Sequence, residues 1–212
     1  RSDGQQLGSV RTALRSDSPE NRVSLAFTPD GSTLVVAGWY GGVALWNVTA
    51  RTLRATLIAP ASSPPEGNPP PPSVALSADG ALLAITASGR SVELWDVTSA
   101  QRRATLALRT DPPAEHEPLP ALRFSPDGAH LLARSPGEVS VWQVATQRLA
   151  YRSRVPSGEL TDAVFAPNGR FVALAPWGDG VRLVRLADSA WVDLRSFDVA
   201  TGRVGLAVDA AR

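Results

Sequence analysis

At 212 residues, 43% of them hydrophobic, the chain is long enough to bury the core of one large domain or two small ones. Its 21 basic and 20 acidic residues are interspersed and leave a net charge of +1, which gives no electrostatic case for nucleic-acid binding. The lack of cysteine excludes disulfides and thiolate metal sites, and no cofactor or metal is expected.

In chain order, residues 4–14 (GQQLGSVRTAL) read as a single outer β-strand. From Val23 comes VSLAFTPDGSTLVVAGWYGGVALWNV: an apolar strand, a tight turn, a second strand, a glycine-bearing turn and a third strand. Ala59–Pro72 (APASSPPEGNPPPP) is half proline, and proline lacks the donor a sheet interior needs, so an exposed polyproline-like loop is expected. The strand plan returns as SVALSADGALLAITASGRSVELWDV from Ser73. A second proline-rich loop, RTDPPAEHEPLP, covers Arg109–Pro120. Two more copies follow, ALRFSPDGAHLLARSPGEVSVWQV from Ala121 and DAVFAPNGRFVALAPWGDGVRLVRL from Asp162. Ala190–Leu194 can serve as an outer strand of the fourth copy, and residues 203–209 resemble the inner strand of a fifth.

Two markers keep step through the copies. Gly31, Gly80, Gly128 and Gly169 are separated by 49, 48 and 41 residues, and Trp46, Trp95 and Trp142 by 49 and 47, with Val184 in the fourth place. Each turn has a mechanism: proline sets the first corner, Asp30, Asp79, Asp127 or Asn168 can bond its own backbone, and glycine accepts a positive φ. Strands such as Val23–Phe27 and Val43–Trp46 are apolar or small on both faces, whereas a sheet with one wet face would alternate. Three or four strands per unit at roughly 40–45 residues is the propeller range. The expected fold is all-β: a β-propeller of four-stranded antiparallel blades, about four complete blades with partial strands at both ends. The blades are expected near 21–57, 73–108, 121–153 and 161–197. Residues 4–14 would be the outer strand of a preceding blade and 203–209 the inner strand of a following one. The chain opens Arg1-Ser2-Asp3, and an arc of a larger ring within a longer protein is expected.

TPDG…LWNV, SADG…LWDV, SPDG…VWQV and APNG…LVRL resemble the WD-repeat β-propeller family over roughly residues 6–209. Only Trp95-Asp96 is a literal Trp-Asp pair; the other places read Trp46-Asn47, Trp142-Gln143 and Val184-Arg185. The family's Gly-His pair is absent from every copy, so its histidine–aspartate–tryptophan lock is not expected to form. Apolar packing should then carry most of the stability. The resemblance further implies a rim on which inter-blade loops and the turns before the third strands emerge together. Trp39, Tyr40, Arg90, Trp177 and Asp179 fall in those turns and are the candidate partner-binding residues, because aromatic side chains in loops are favoured at interface hot spots.

Catalytic signals are thin. His116, in Glu115-His116-Glu117, lies in a proline-rich loop without fixed geometry, and His130 is expected as an exposed residue at a strand start. Pairs such as Ser77/Asp79 and Ser125/Asp127 read as turn chemistry, and no phosphate-binding glycine motif occurs in the right setting. The proline-rich loops read as surface insertions, since no basic-flanked PxxP core stands out. All the basic residues are arginine, a bias that points to a GC-rich bacterial source. No apolar run reaches spanning length and no signal-peptide pattern is present, so a cytoplasmic setting without membrane insertion is expected. The function expected is a non-catalytic protein-interaction scaffold or sensor, part of a bacterial signalling protein and not an enzyme. Its partners would be other proteins, or other blades and domains of the parent chain. The alternative is a small-ligand, sugar-binding or lactonase-like enzymatic propeller. That would need polar side chains converging on a central channel, and the innermost strands offer few candidates, Arg123 among them.

Overall fold

The computed structural model describes residues 23–38, 41–61, 71–88, 91–108, 119–135, 137–154, 160–176 and 180–194. The segments 4–14 and 203–209, expected as flanking strands, lie outside them. The described residues form four antiparallel four-stranded sheets, each a simple meander in chain order. Sheet 1 holds β1 (Val23–Phe27), β2 (Thr33–Gly38), β3 (Val43–Asn47) and β4 (Thr52–Ile58). Sheet 2 holds β5 (Val74–Leu76), β6 (Leu82–Ser88), β7 (Ser91–Asp96) and β8 (Gln101–Ala107). Sheet 3 holds β9 (Ala121–Phe124), β10 (His130–Ser135), β11 (Glu138–Gln143) and β12 (Leu149–Arg154). Sheet 4 holds β13 (Leu160–Phe165), β14 (Phe171–Pro176), β15 (Val181–Arg185) and β16 (Trp191–Leu194). Sheet 1 belongs to one compact unit, Arg1–Pro71, and sheets 2 to 4 to a second, Pro72–Arg212.

The marker residues occupy one register position in every sheet. Trp46 pairs with Leu34, Trp95 with Leu83, Trp142 with Leu131, and Val184 with Val172. Each of these partners is the second residue of its strand. Because side chains alternate along a strand, this register divides each sheet into a face carrying the tryptophan position and a reverse face.

Within the second unit the two faces meet in a fixed sense. Trp142, Leu131, Ala133 and Leu122, on the tryptophan face of sheet 3, cluster with Ala84, Val92, Leu94 and Leu106 on the reverse face of sheet 2. Val184, Val172, Leu174, Ala163 and Phe165 of sheet 4 cluster likewise with Leu132, Val139 and Val141 of sheet 3. Middle strands flanked by neighbouring sheets leave little place for a polar face, which is why β6, β10 and β14 each hold an apolar centre: Leu82–Ile85, Leu131–Ala133 and Phe171–Ala175. Each fully enclosed leucine or valine there contributes on the order of 1.5–3 kcal/mol. The outer strands β4, β8 and β12 are mostly exposed and carry the arginines.

Sheets 1 to 3 share a feature the fourth lacks. The pairing of third and fourth strands slips by one residue immediately before Trp46, Trp95 and Trp142, leaving Arg54, Arg103 and Ala150 as extra residues on the outer strand. The β15–β16 pairing runs through Val184 without a slip. A bulge of this kind bends and twists the outer strand locally.

Candidate partner-binding surface

One edge of each sheet is tied down by its turns. The hydroxyls of Thr28, Ser77 and Ser125 each donate to the carboxylate two residues on, at 2.5 Å to Asp30, Asp79 and Asp127. The same hydroxyls accept the amides of Thr33, Leu82 and His130 at 2.9–3.0 Å. Each carboxylate also accepts the amide two residues further on, from Ser32, Ala81 and Ala129, at 3.0 Å. The hydroxyl bond first, and the amide second, hold the three aspartates below the ordinary carboxylate range, Asp30 to about 2 from 3.8. In sheet 4 Ala166 removes the hydroxyl, while Asn168 still accepts the Arg170 amide at 3.0 Å. Gly169, at φ +66°, sits directly against the Asp127 carboxylate of the neighbouring turn; a Cβ there would lie 2.7 Å from Oδ2. Gly31, at φ +69°, faces open space.

The corner between third and fourth strands is stapled to that same turn. The amides of Val48, Val97, Val144 and Leu186 donate to the carbonyls of Ser32, Ala81, Ala129 and Arg170 at 2.9–3.0 Å. Asn47 and Asp96 cap this corner by accepting the amides of Ala50 and Ser99 at 2.7 and 2.8 Å, and Asp96 also pairs with Arg103. The aspartate of the Trp-Asp pair is therefore engaged in turn chemistry. Arg51, Ala100, Gln147 and Ser189 all adopt φ near +55° to +58°, five residues beyond Trp46, Trp95, Trp142 and Val184. This recurring left-handed residue is a repeat marker that sequence reasoning missed, because none of the four is glycine.

Polar side chains on the tryptophan faces are engaged differently in each sheet. The Trp95 indole donates to Glu93 at 2.9 Å, and Glu93 pairs with Arg102 at 2.6 Å. This lock, built without histidine, was not expected; its sequence signal is a carboxylate two residues before the tryptophan and an arginine on the next strand. In sheet 1 those places hold Ala44 and Leu53, and the enclosed Trp46 indole N–H has no partner. In sheet 3 Glu138 is clasped by Arg152 and Arg154 at 3.4 and 3.2 Å, and Arg152 also donates to the Leu108 carbonyl of sheet 2. In sheet 4 Arg182 pairs with Asp193 at 2.9 Å and lies 4.3 Å over the Trp191 ring.

Trp39, Tyr40, Arg90, Trp177 and Asp179 lie outside the described residues. So does His116. By chain order they, other than His116, belong to the second-to-third-strand connections. Their frames are visible: Gly41 donates to Gly38 at 3.0 Å, and Gly41 and Gly180 both hold φ +76°. Two other residues differ from expectation. His130 is half-buried, its ring 6.4 Å from Phe165 and its Nδ1 enclosed without a partner, because sheet 4 packs over the start of β10. Arg123 does not stand alone; it pairs with Asp162 of the next sheet at 3.4 Å. No group of three or more histidine, aspartate or glutamate side chains able to hold a metal occurs among the described residues.

Four-stranded meanders that stack tryptophan face on reverse face are the blades of a β-propeller. Residues 11–47 match the model of the WD domain, G-beta repeat, the match closing on Asn47 beside Trp46. The matched segment is a WD repeat, and the later sheets repeat its strand plan and register. Hydrazine synthase of Kuenenia stuttgartiensis is similar in structure, with a TM-score of 0.62 and 17% identity, over 90% of this chain and 52% of that one. The chain thus spans about half the length of that structure (52%). In all, 1464 solved chains are similar, so the fold is too widely shared to name a function. No curated protein matches.

Proposed function

We propose that this propeller is a non-catalytic protein-interaction scaffold or sensor module, part of a bacterial signalling protein. One observation carries the reading: each carboxylate among the described residues already accepts a hydrogen bond or ion pair from its own blade or the next. Groups committed to turns and strand pairing are not poised for acid–base work or ligand capture. What remains for function is the surface held by that frame. In this proposal Trp39, Tyr40, Arg90, Trp177 and Asp179 supply the contacts, as large aromatic and arginine side chains do at interface centres. The stapled turns hold one edge of each blade rigid, which lowers the entropic cost of presenting them.

Chemical cross-linking of the full chain in a cell extract, followed by mass spectrometry, tests the reading. A specific protein captured by the chain and lost from the Trp39→Ala/Trp177→Ala variant, with unchanged circular dichroism, is the expected result. Saturable heat on calorimetric titration with calcium or simple sugars would overturn it in favour of a small-ligand or lactonase-like propeller.

A further inference from the structure

The first turn of blade 4 departs from its three counterparts at two positions. Ala166 stands where Thr28, Ser77 and Ser125 carry a hydroxyl, and Asn168 stands where Asp30, Asp79 and Asp127 carry a carboxylate. Each of those aspartates is held twice, by the hydroxyl two residues before it and by the amide two residues after it. Asn168 is held once: its Oδ1 accepts the Arg170 amide at 3.0 Å, and its Nδ2 has no partner among the described residues. The side chain is exposed, and the next residue is Gly169, which has no side chain to shield its own amide nitrogen. That nitrogen closes the turn onto the Ala166 carbonyl at 2.9 Å.

An asparagine side-chain carbon is an electrophile that the following amide nitrogen can reach, closing a five-membered ring once the turn bond opens. The four turns are not equal in this respect. Asp30, Asp79 and Asp127 also precede a glycine, but their lowered pKa values keep them ionised, and a carboxylate is a poor electrophile. Their two tethers also hold the carbon in place. In Asn168 the carbon belongs to a neutral amide with a single tether. Asn47, the other asparagine among the described residues, is likewise tethered once, to the Ala50 amide at 2.7 Å. There, however, Val48 follows, and its branched side chain crowds an amide that is itself bonded to the Ser32 carbonyl.

We propose that Asn168-Gly169 is a self-modification site, at which the side-chain amide is converted to an acid without an enzyme. The Gly169 nitrogen gives up its proton to solvent and bonds to Cγ of Asn168. The Cγ–Nδ2 bond breaks, and ammonia leaves after taking a proton from solvent. Water then opens the cyclic imide. Opening at Cγ gives aspartate; opening at the backbone carbonyl gives isoaspartate, whose main chain runs through Cβ and Cγ. The second product adds one atom to the backbone inside the turn whose next residue, Arg170, holds the Leu186 amide at 3.0 Å. Either product places a negative charge one residue from the site where the Asp127 carboxylate lies against Gly169. The site is separate from the proposed partner-binding turns, so its failure leaves that reading intact.

The test is prolonged incubation of the full chain in warm, mildly alkaline buffer, with peptide mapping by mass spectrometry at intervals. The expected result is amide-to-acid conversion at Asn168 while Asn47 stays an amide. Methyl transfer by an isoaspartyl methyltransferase should show isoaspartate among the products. Ala166→Ser restores the missing hydroxyl tether and should slow conversion by roughly 2- to 10-fold, the range of one hydrogen bond. Circular dichroism confirms that the variant folds. Asn168 that stays intact overturns the proposal, as does conversion of Asn47 at the same rate. So does a product that is aspartate alone, or an Ala166→Ser chain that converts as fast as the parent.

Discussion

Blade 1 and the three-blade unit are built on one plan, yet their marker residues end in different surroundings. Phe27 is open where Phe165 is enclosed, Gly31 faces space where Gly169 meets a carboxylate, and Trp46 lacks the acceptor that Trp95 has. A repeat sets where a residue stands; its energetic weight comes from what the adjoining sheet brings to it.

The largest expected effect comes from truncating the two phenylalanines. Phe165→Ala should cost about 3–5 kcal/mol by opening a cavity between blades 3 and 4, and Phe27→Ala less than about 1 kcal/mol. Urea unfolding of both variants would measure this, and equal losses would erase the contrast. The glycines come next. Gly31→Ala should cost about 1–2 kcal/mol from its left-handed backbone alone. Gly169→Ala adds displacement of the Asp127 carboxylate, about another 1–3 kcal/mol. Thermal midpoints that rank the two the other way would refute the close approach.

The tryptophans give a smaller effect with a sign difference. Glu93→Ala leaves both the Trp95 indole and Arg102 without their acceptor and should destabilise by about 1–3 kcal/mol. Trp46→Phe discards an unsatisfied donor, and its cost should fall well below that of Trp95→Phe despite the same change in volume. Acid sensitivity offers a finer probe. Folded-state pKa values of Asp30, Asp79 and Asp127 are lowered, so their contribution is complete above the ordinary value of 3.8 and is lost as pH falls through the folded value, about 2 for Asp30. Combining Thr28→Val, Ser77→Ala and Ser125→Ala should flatten stability against pH in that window; an unchanged slope would show that the hydroxyls are not the cause. Smallest of all, Ala100→Gly should be neutral or stabilise by less than about 1 kcal/mol by relieving a left-handed alanine.

The sequence made the blade plan legible where chemistry forced a residue type. TPDG, SADG and SPDG announce their turns because aspartate and glycine, with proline in two of the three, each meet a backbone demand, and the tryptophan spacing marked one equivalent place in the first three sheets. The left-handed corner residues stayed hidden because arginine, alanine, glutamine and serine carry no such signature, and the slips before Trp46, Trp95 and Trp142 depend on pairing between strands. Glu93 was readable as a residue but not as an indole acceptor, since Arg102 reaches it only across the β7–β8 ladder. Exposure at Phe27 could not be read at all: VSLAF and AVF look alike until a neighbour covers one of them. The candidate surface was read from turn composition alone, and Trp39 and Trp177 lie outside the described residues.

The staples joining first turn to last corner occur at only one margin of each blade. At the other margin the bonds differ from sheet to sheet: Ser73 and Thr86 exchange amide and side-chain bonds at 2.8–3.0 Å in sheet 2, and Arg134 of sheet 3 donates to the Leu160 carbonyl of sheet 4 at 2.9 Å. A lineage could therefore rewrite the bonds at that margin without touching the hinge-like seam that keeps each blade in shape. Within each blade the seam repeats from copy to copy, while the bonds at the opposite margin change.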